Sequence, residues 1–210
     1  MTLVLVARHG ETDWNAEHRF QGHADRPLNA RGREQADALA ELLDDVPLAA
    51  VVSSDLMRAR ETAEVVSARH GLPVRVEPEL REVDVGTWTG LTTEEARDAE
   101  PEAYARWRTG LPGWSGGETY EEMAVRVVAA LQRVAADYED DGRPILLVGH
   151  GATIRAYEAA TTGEDQQTVR RRRYVVPNGS LGSVEAGAGG LSDFRPEADL
   201  EALVGSSRGL

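Results

Sequence analysis

The sequence predicts an α/β domain in which helices cover both faces of a mainly parallel sheet, a three-layer α/β/α sandwich. Short apolar runs of strand length alternate with longer stretches in which apolar residues recur at helical spacing. Because parallel strands need a crossover between them, this alternation places helices on the faces of the sheet. The length of 210 residues fits one such domain with a modest insertion.

Four short apolar runs, at residues 3–7, 49–52, 74–76 and 145–148, predict the strands. The first, LVLVA, is apolar throughout and has the character of a buried strand. Ligands of such folds bind just past the carboxyl ends of the strands. The loops that follow these runs are therefore where the sequence predicts a site.

Four helices are predicted between and after the strands. Asn29 is of a residue type that caps helix N-termini, and Gly71 ends the second helix. Thr119 and Glu122 have the spacing of a capping box at the start of the third helix. The fourth covers residues 153–160, which completes the order β-α-β-α-β-α-β-α.

Residues from about 87 to 117 interrupt this alternation and contain Trp107 and Trp114 among glycines, prolines and charges. Long excursions in compact domains tend to be functional, so the segment is interpreted as a small insertion over the sheet edge, beside the active site. Its tryptophans are expected to pack the cover rather than to contact substrate. Residues 187–210 are rich in glycine, serine and acids and are expected to form a loosely ordered tail, which leaves 1–186 as the domain.

The formal charge of -13 argues against a nucleic-acid partner, because a polyanion is repelled overall. The arginine run at residues 170–173 is interpreted as a solvated face or a set of ion-pair partners. All 23 basic residues are arginines, whose planar guanidinium binds oxyanions in a bidentate manner. The composition therefore remains compatible with a small anionic substrate.

The chain contains no cysteine, which excludes disulfides and thiolate metal sites. Its apolar runs are shorter than the ~20 residues needed to span a bilayer, so no membrane partner is expected. Met1 leads into an apolar strand without a basic leader, and the expected location is cytoplasmic. The oligomeric state stays open, a homodimer included.

The strongest chemical signal is RHGETDWN at residues 8–15, directly after the first strand. An Arg-His pair followed by glycine at a strand end lets the backbone approach a phosphate closely. Together with four further motifs it resembles the histidine phosphatase superfamily, also called the phosphoglycerate mutase-like family, over roughly residues 3–183. The five motifs are RHGETDWN, QG at 21–22, SSDLMRARETA at 53–63, LREVDVGTWTG at 80–90 and VGHG at 148–151.

The resemblance implies a role for each matching residue. His9 is the nucleophile that becomes a phosphohistidine, and Arg8 and Arg58 clamp the phosphoryl oxygens. His150 lies opposite and donates a hydrogen bond to them, while Glu82 occupies the position of the proton donor. The other positions that the match places on the phosphate or substrate side are Asn15, Gln21, Gly22 and Gly151.

Elementary chemistry supports these roles. Phosphoryl transfer depends mainly on positioning and on stabilising charge on three equatorial oxygens. Two guanidiniums and a second imidazole are suitable donors for that task, so no metal and no other cofactor is expected. His18 and His23 lie in a loop without the i, i+4 spacing of a helical zinc site. The sequence also offers Glu79 and Asp84 as acids, because both lie close to Glu82.

The expected function is hydrolysis of a small phosphorylated metabolite, such as a sugar phosphate, a phosphoglycerate derivative or a nucleotide-like monoester. Three alternatives stay open: a mutase, a regulatory protein that binds a phosphorylated ligand without turnover, and a phosphohistidine carrier. The resemblance leads to the expectation that mutases have a longer insertion and an ERHYG-like run, where this chain has EVDVGTWTG. The shorter cover favours the phosphatase branch, because a mutase must keep water from its intermediate.

Overall fold

One six-stranded sheet forms the centre of the computed structural model, which describes residues 1–172 and 175–198. The strands are β1 (Thr2–Arg8), β2 (Ala50–Ser53), β3 (Val74–Val76), β4 (Ile145–Gly149), β5 (Leu181–Gly187) and β6 (Gly190–Arg195). Their order in the sheet is β3-β2-β4-β1-β5-β6. The strands β3, β2, β4 and β1 run parallel, and β5 and β6 are added antiparallel at one edge.

Helices and two short 3-10 turns connect these strands. The α-helices of the described residues are α1 (Asp13–Ala16), α2 (Ala30–Leu42), α3 (Met57–His70), α4 (Thr93–Ala99), α5 (Pro101–Arg108), α6 (Tyr120–Ala136), α7 (Gly151–Thr162) and α8 (Gln166–Arg172). The 3-10 turns, Pro78–Leu80 and Gly86–Trp88, follow β3. Within residues 1–172 and 175–198, none of the helices has the length and apolar character needed to cross a membrane.

The helices cover both faces of the sheet and bury two apolar clusters. Val4 and Val6 of β1 pack on one face with residues of α6 and α7. Leu5 and Ala7 pack on the other face with residues of α2 and α3. Successive side chains of a strand point to opposite faces, so β1 contributes to both clusters and is completely buried over this stretch. The three-layer sandwich with a mainly parallel sheet is thus confirmed.

The predicted helix ends are confirmed by their hydrogen bonds. The side chain of Asn29 accepts from the backbone N–H of Gly32 at 2.8 Å and starts α2. Thr119 and Glu122 form a reciprocal capping box at the start of α6. Gly71 ends α3 in the left-handed conformation, with a φ of 64° that glycine adopts without strain.

The strands β5 and β6 have no counterpart in the sequence prediction. Gly190–Arg195 forms β6 where the sequence predicts a loosely ordered tail, and residues 199–210 of that tail lie outside the described residues. Glycine is unfavourable in strands, so the frequent glycines here argue against a strand in the sequence. In the structure six of the seven residues of β5 are buried, and Val184 and Ala186 fully so.

A close approach between two backbones fixes the loop after β1 against the first turn of α2. A Cβ atom on Gly10 would lie 2.3 Å from the carbonyl oxygen of Gly32. A Cβ atom on Gly32 would lie 2.0 Å from the carbonyl oxygen of Glu11. The missing side chain of Gly10 therefore faces α2, which corrects the prediction that this glycine makes room for a phosphate.

Gly32→Ala is expected to destabilise the protein by about 2 kcal/mol or more. Helix propensity alone would make the alanine variant more stable by roughly 1 kcal/mol. A destabilised variant would therefore show that the backbone contact outweighs helix propensity. Urea unfolding measures the change, and Gly189→Ala serves as the control because a Cβ there has no atom within 4 Å. A Gly32→Ala protein as stable as the wild type would show that the two backbones separate without cost.

Candidate active site

The predicted catalytic residues meet at the carboxyl edge of the parallel strands. His9 follows β1, His150 follows β4, Arg58 lies in the first turn of α3 after β2, and Glu82 follows the 3-10 turn after β3. His9, Arg58 and Glu82 line a cleft of about 480 Å³, whereas His150 is fully buried and does not line it. The predicted site residues that line this cleft are Arg8, His9, Asn15, Gln21, Gly22, Arg58, Glu82 and Gly151. His150 lies directly behind His9, and the two ring centroids are 5.2 Å apart.

His9 is held as a neutral imidazole with one nitrogen available. Its Nδ1 lies 2.6 Å from the carbonyl oxygen of Gly10, and a carbonyl can only accept, so we assign the ring proton to Nδ1. The Nε2 atom then carries the free lone pair. Burial, together with the nearby cations of Arg58 and Arg8, holds the pKa of His9 well below its ordinary value of 6.5. A neutral imidazole with a free lone pair has the chemical state that a nucleophile needs at neutral pH.

His150 is also buried and neutral, with burial and the cation of Arg58 holding its pKa well below 6.5. Neither ring nitrogen has a hydrogen-bond partner among the described residues. Leaving a buried donor unpaired costs about 1–3 kcal/mol, which an oxyanion next to His9 would recover. The geometry fits the predicted role of His150 as a donor to a phosphoryl oxygen.

Two buried guanidiniums carry the positive charge of the site. Arg58 donates to the carbonyl oxygens of Ala24 at 2.8 Å and Gly22 at 2.9 Å, and Arg8 donates to that of Val176. The Nε atoms of both arginines have no partner among the described residues. Carbonyls orient the two cations without neutralising them, so their charge is available to an anion.

Burial lowers the pKa of both Arg8 and Arg58 from 12.5 to about 10, against the opposing attraction of Glu82. Both groups therefore stay protonated at neutral pH. A phosphate dianion placed beside them would restore the charge balance of the site. The cleft is thus suited to a phosphoryl group, and it is electropositive inside a chain of net charge -13.

Glu82 is held at both its side chain and its backbone. One carboxylate oxygen accepts from the backbone N–H of Val83 at 2.9 Å, and the other accepts from that of Ala152 in the first turn of α7 at 3.3 Å. Its carbonyl oxygen lies 2.8 Å from both His23 Nε2 and Arg126 Nη2. These contacts fix the carboxylate on the wall of the cleft, where the sequence predicts the proton donor.

Glu118 closes the insertion at its base. Its backbone N–H donates to the carbonyl oxygen of Asp84 at 3.0 Å, and its side chain accepts from the N–H of Asp84 at 3.0 Å. Arg126 of α6 donates to the same carboxylate and also to the carbonyl oxygens of Glu79 and Arg81. The segment that carries Glu82 is therefore attached to α6 rather than to the insertion.

The remaining predicted residues shape the loop after β1. Asn15 and Gln21 both accept hydrogen bonds from Thr12, at 3.1 and 3.0 Å, which fixes their amide groups at the cleft. Gly22 has a φ of 49°, and a Cβ there would lie 2.7 Å from the Cγ2 atom of Val85. Gly22 is thus required for packing, and its carbonyl holds Arg58.

Several cleft residues have no counterpart in the sequence prediction. Asn178 donates to the carbonyl oxygen of His9 at 3.0 Å, although it lies 169 positions away along the chain. Such a contact leaves no local pattern in the sequence. Arg155 also lines the cleft, and here a signal exists, since a basic residue one turn into α7 lies on the same helix end as the VGHG motif.

The arginine run differs from its predicted character at one position. Arg170 is 5% exposed, its guanidinium stacks 4.6 Å from the Trp107 ring centroid, and it donates to the carbonyl oxygen of Trp107 at 2.6 Å. The prediction of a solvated face is therefore wrong for Arg170, because its guanidinium is buried against the Trp107 ring. Arg172 forms the predicted ion pairs with Glu158 and Glu164, and Arg173 lies outside the described residues.

The insertion packs as an aromatic cluster. Trp88, Trp107 and Trp114 are all buried, and their rings contact each other at centroid distances near 6 Å. Trp107 and Trp114 also line the cleft, so they combine the predicted packing role with a place beside the substrate space. The cover of the cleft is therefore held together by aromatic packing.

The two neutral imidazoles give the protein a predictable loss of stability in acid. An unfolded histidine titrates near pH 6.5, whereas His9 and His150 titrate lower when folded, so the unfolded state binds more protons between these values. The free energy of unfolding should fall below pH ~6.5, by up to about 1.4 kcal/mol per pH unit for each ring. Urea unfolding at pH 7.5 and 5.5 should show a shallower decrease for His9→Asn. Identical decreases in wild type and variant would contradict the buried neutral state.

Comparison with known proteins agrees with this geometry. Residues 4–192 match the profile of the histidine phosphatase superfamily (branch 1). The chain is 42% identical over 163 residues to phosphoglycerate mutase-like protein 4 of Arabidopsis thaliana, a match that covers 75% of this chain and 70% of that protein. It is 41% identical over 167 residues to glucosyl-3-phosphoglycerate phosphatase of Mycobacterium tuberculosis, covering 75% and 74% respectively.

A solved structure shares the fold at comparable similarity. It is mycobacterial glucosyl-3-phosphoglycerate phosphatase in complex with VO3, with a TM-score of 0.79 and 34% identity. The match covers 88% of this chain and 91% of that one. The profile match over most of its length and these relatives show that the chain belongs to the histidine phosphatase superfamily.

Proposed function

We propose that this chain is a metal-independent phosphomonoester hydrolase that works through a phosphohistidine at His9. The observation that carries the proposal is the state of His9, a buried neutral imidazole with Nδ1 held by Gly10 and Nε2 left free. The two buried cations of Arg8 and Arg58 stand beside it and supply the positive charge that a metal ion supplies in other phosphatases. The phosphatases among its relatives support a hydrolase.

The reaction follows in two balanced steps. The His9 Nε2 attacks phosphorus, the bond from phosphorus to the ester oxygen breaks, and the proton of Glu82 passes to the departing alcohol. Water then attacks the phosphohistidine and gives its proton to Glu82, and the N–P bond breaks to release phosphate. Arg8, Arg58 and His150 stabilise the charge on the phosphoryl oxygens in both steps.

The substrate is proposed to be a small phosphorylated metabolite. The relative from Mycobacterium tuberculosis is a phosphatase of glucosyl-3-phosphoglycerate, and a cleft of about 480 Å³ accommodates a ligand of moderate size. The other relative is described as mutase-like, so isomerisation is the competing reaction. A mutase must hold water away from its intermediate, whereas the cover here consists of two short helices, Thr93–Ala99 and Pro101–Arg108, and their connecting loops.

Incubation of the protein with ³²P-labelled phosphomonoesters in excess EDTA tests the proposal. We expect steady phosphate release and, after an alkaline quench, an acid-labile label on His9. His9→Asn should lose both, while His70→Gln, at the far end of α3, should keep both. Label on a serine or aspartate, or activity that EDTA removes and a divalent ion restores, would overturn the mechanism. Rapid formation of 2-phosphoglycerate from 3-phosphoglycerate and catalytic 2,3-bisphosphoglycerate, with little free phosphate, would identify a mutase.

Glu82→Gln should affect substrates according to their leaving groups. General acid catalysis contributes about 10²–10⁴-fold when the leaving alkoxide needs a proton. We therefore expect a loss of that order on an alkyl phosphate and a much smaller loss on p-nitrophenyl phosphate, whose phenolate leaves without a proton. Glu79→Gln, in the same segment but bound to exposed Arg133, is the matched control and should resemble the wild type. Equal losses on both substrates would assign the acid to another residue.

A further inference from the structure

Beyond the phosphate-binding residues, one wall of the cleft carries two more guanidiniums. Arg155 and Arg170 both line the cleft, on α7 and α8. Neither is needed to account for the two proposed chemical steps. Their positions raise the question of which part of a substrate they contact.

Arg155 lies next to the phosphate-binding cations. A point at the Cβ position of Gly151 lies 3.7 Å from Arg155 Nη1 and 3.8 Å from Arg8 Cζ. The cations of Arg155 and Arg8 are therefore neighbours across one glycine. A ligand atom at that point would lie within 4 Å of both guanidiniums.

Arg170 continues this row toward the insertion. Its guanidinium lies 5.3 Å from the Tyr120 ring centroid and 4.6 Å from that of Trp107. Arg155 also lies near enough to Tyr120 to influence it electrostatically. Arg8, Arg155 and Arg170 thus follow one another from the phosphoryl position to the cover.

The acids of the cleft lie elsewhere. Among the described residues that line it, the carboxylates are those of Glu11 and Glu82. Glu11 accepts a hydrogen bond from Asn29 at the start of α2, and Glu82 is held by Val83 and Ala152. Of the described residues between 107 and 178 that line the cleft, none is an acid; Glu82 nevertheless lies near enough to Tyr120 to act on it electrostatically, as Arg155 and Arg170 do.

We propose that the alcohol part of the substrate carries a second anionic group, a carboxylate or a second phosphate, that Arg155 and Arg170 bind. This inference rests on the proposed phosphatase function, because it assigns the phosphoryl group to Arg8 and Arg58. Guanidiniums bind planar or tetrahedral oxyanions with two hydrogen bonds, and the aromatic surface around Arg170 excludes water from such a pair. The short row of cations fits a compact carbon skeleton between the two anions.

Substrate pairs that differ in the second anion test the inference. 3-Phosphoglycerate and glycerol 3-phosphate share a three-carbon skeleton and differ by a carboxylate in place of a hydroxymethyl group. Fructose 1,6-bisphosphate and fructose 6-phosphate make the same comparison for a second phosphate. In at least one pair, we expect kcat/KM to be about 10- to 100-fold higher for the substrate with the second anionic group, which is the effect of one charge-assisted interaction. The pair that responds identifies the anion.

Arg155→Met and Arg170→Met should bring that kcat/KM ratio to about one. Arg19→Met is the control, because Arg19 lies at the edge of the cleft but pairs with Glu17 and Glu95, and it should keep the wild-type ratio. If Arg170→Met fails to fold, because Arg170 supports Trp107, Arg155→Met carries the test alone.

The outcomes separate the two proposals. A wild type that releases phosphate from p-nitrophenyl phosphate but shows ratios near one for both pairs would overturn the second-anion site and leave the phosphatase intact. A preference that survives in Arg155→Met would also overturn it. Failure to release phosphate from any monoester would overturn the phosphatase proposal and this inference with it.

Discussion

The burial of positive charge without a matching negative charge is the constraint on which the site depends. Arg8 and Arg58 lie within the protein and are held by backbone carbonyls, which satisfy their donors but leave their charge in place. Isolated buried charges are costly, and here the burial appears in the lowered pKa of both groups. A dianionic ligand would offset that cost, which supports the proposed binding of a phosphoryl group. The same cations help to keep His9 neutral, as its proposed role as nucleophile requires.

The parts of the candidate site that the structure brings together as the sequence predicts are those fixed by local structure. Residues that follow parallel strands must meet at one edge of the sheet, so the sequence alone indicates that the motifs after β1, β2 and β4 form one site. It does not indicate Asn178 or Arg170, because each reaches the site through a contact between residues distant in sequence. The antiparallel strands β5 and β6 escaped prediction for a different reason, since their glycines resemble those of an unstructured tail.

The three candidate acids illustrate how structure separates residues of equal chemistry. In sequence, Glu79, Glu82 and Asp84 are nearly interchangeable. In the folded protein Glu79 is bound by Arg133 on the exposed side, and the Asp84 side chain accepts from Gly86 within its own turn. Glu82 is the member of the three that lines the cleft, and Arg126 holds its carbonyl oxygen.

The two hydrogen bonds between Asp84 and Glu118 have a consequence for how the insertion can change in evolution. Two hydrogen bonds, one between backbones and one from the Asp84 N–H to the Glu118 side chain, join the ends of the insertion, so the chain between them is a loop whose two ends are fixed. The entropic cost of a loop with fixed ends grows slowly with its length, by only about 0.6 kcal/mol per doubling. The insertion can therefore be lengthened, shortened or replaced, in evolution or by loop grafting, while Glu82 keeps its position. One reaction centre can in this way acquire new substrates without being rebuilt.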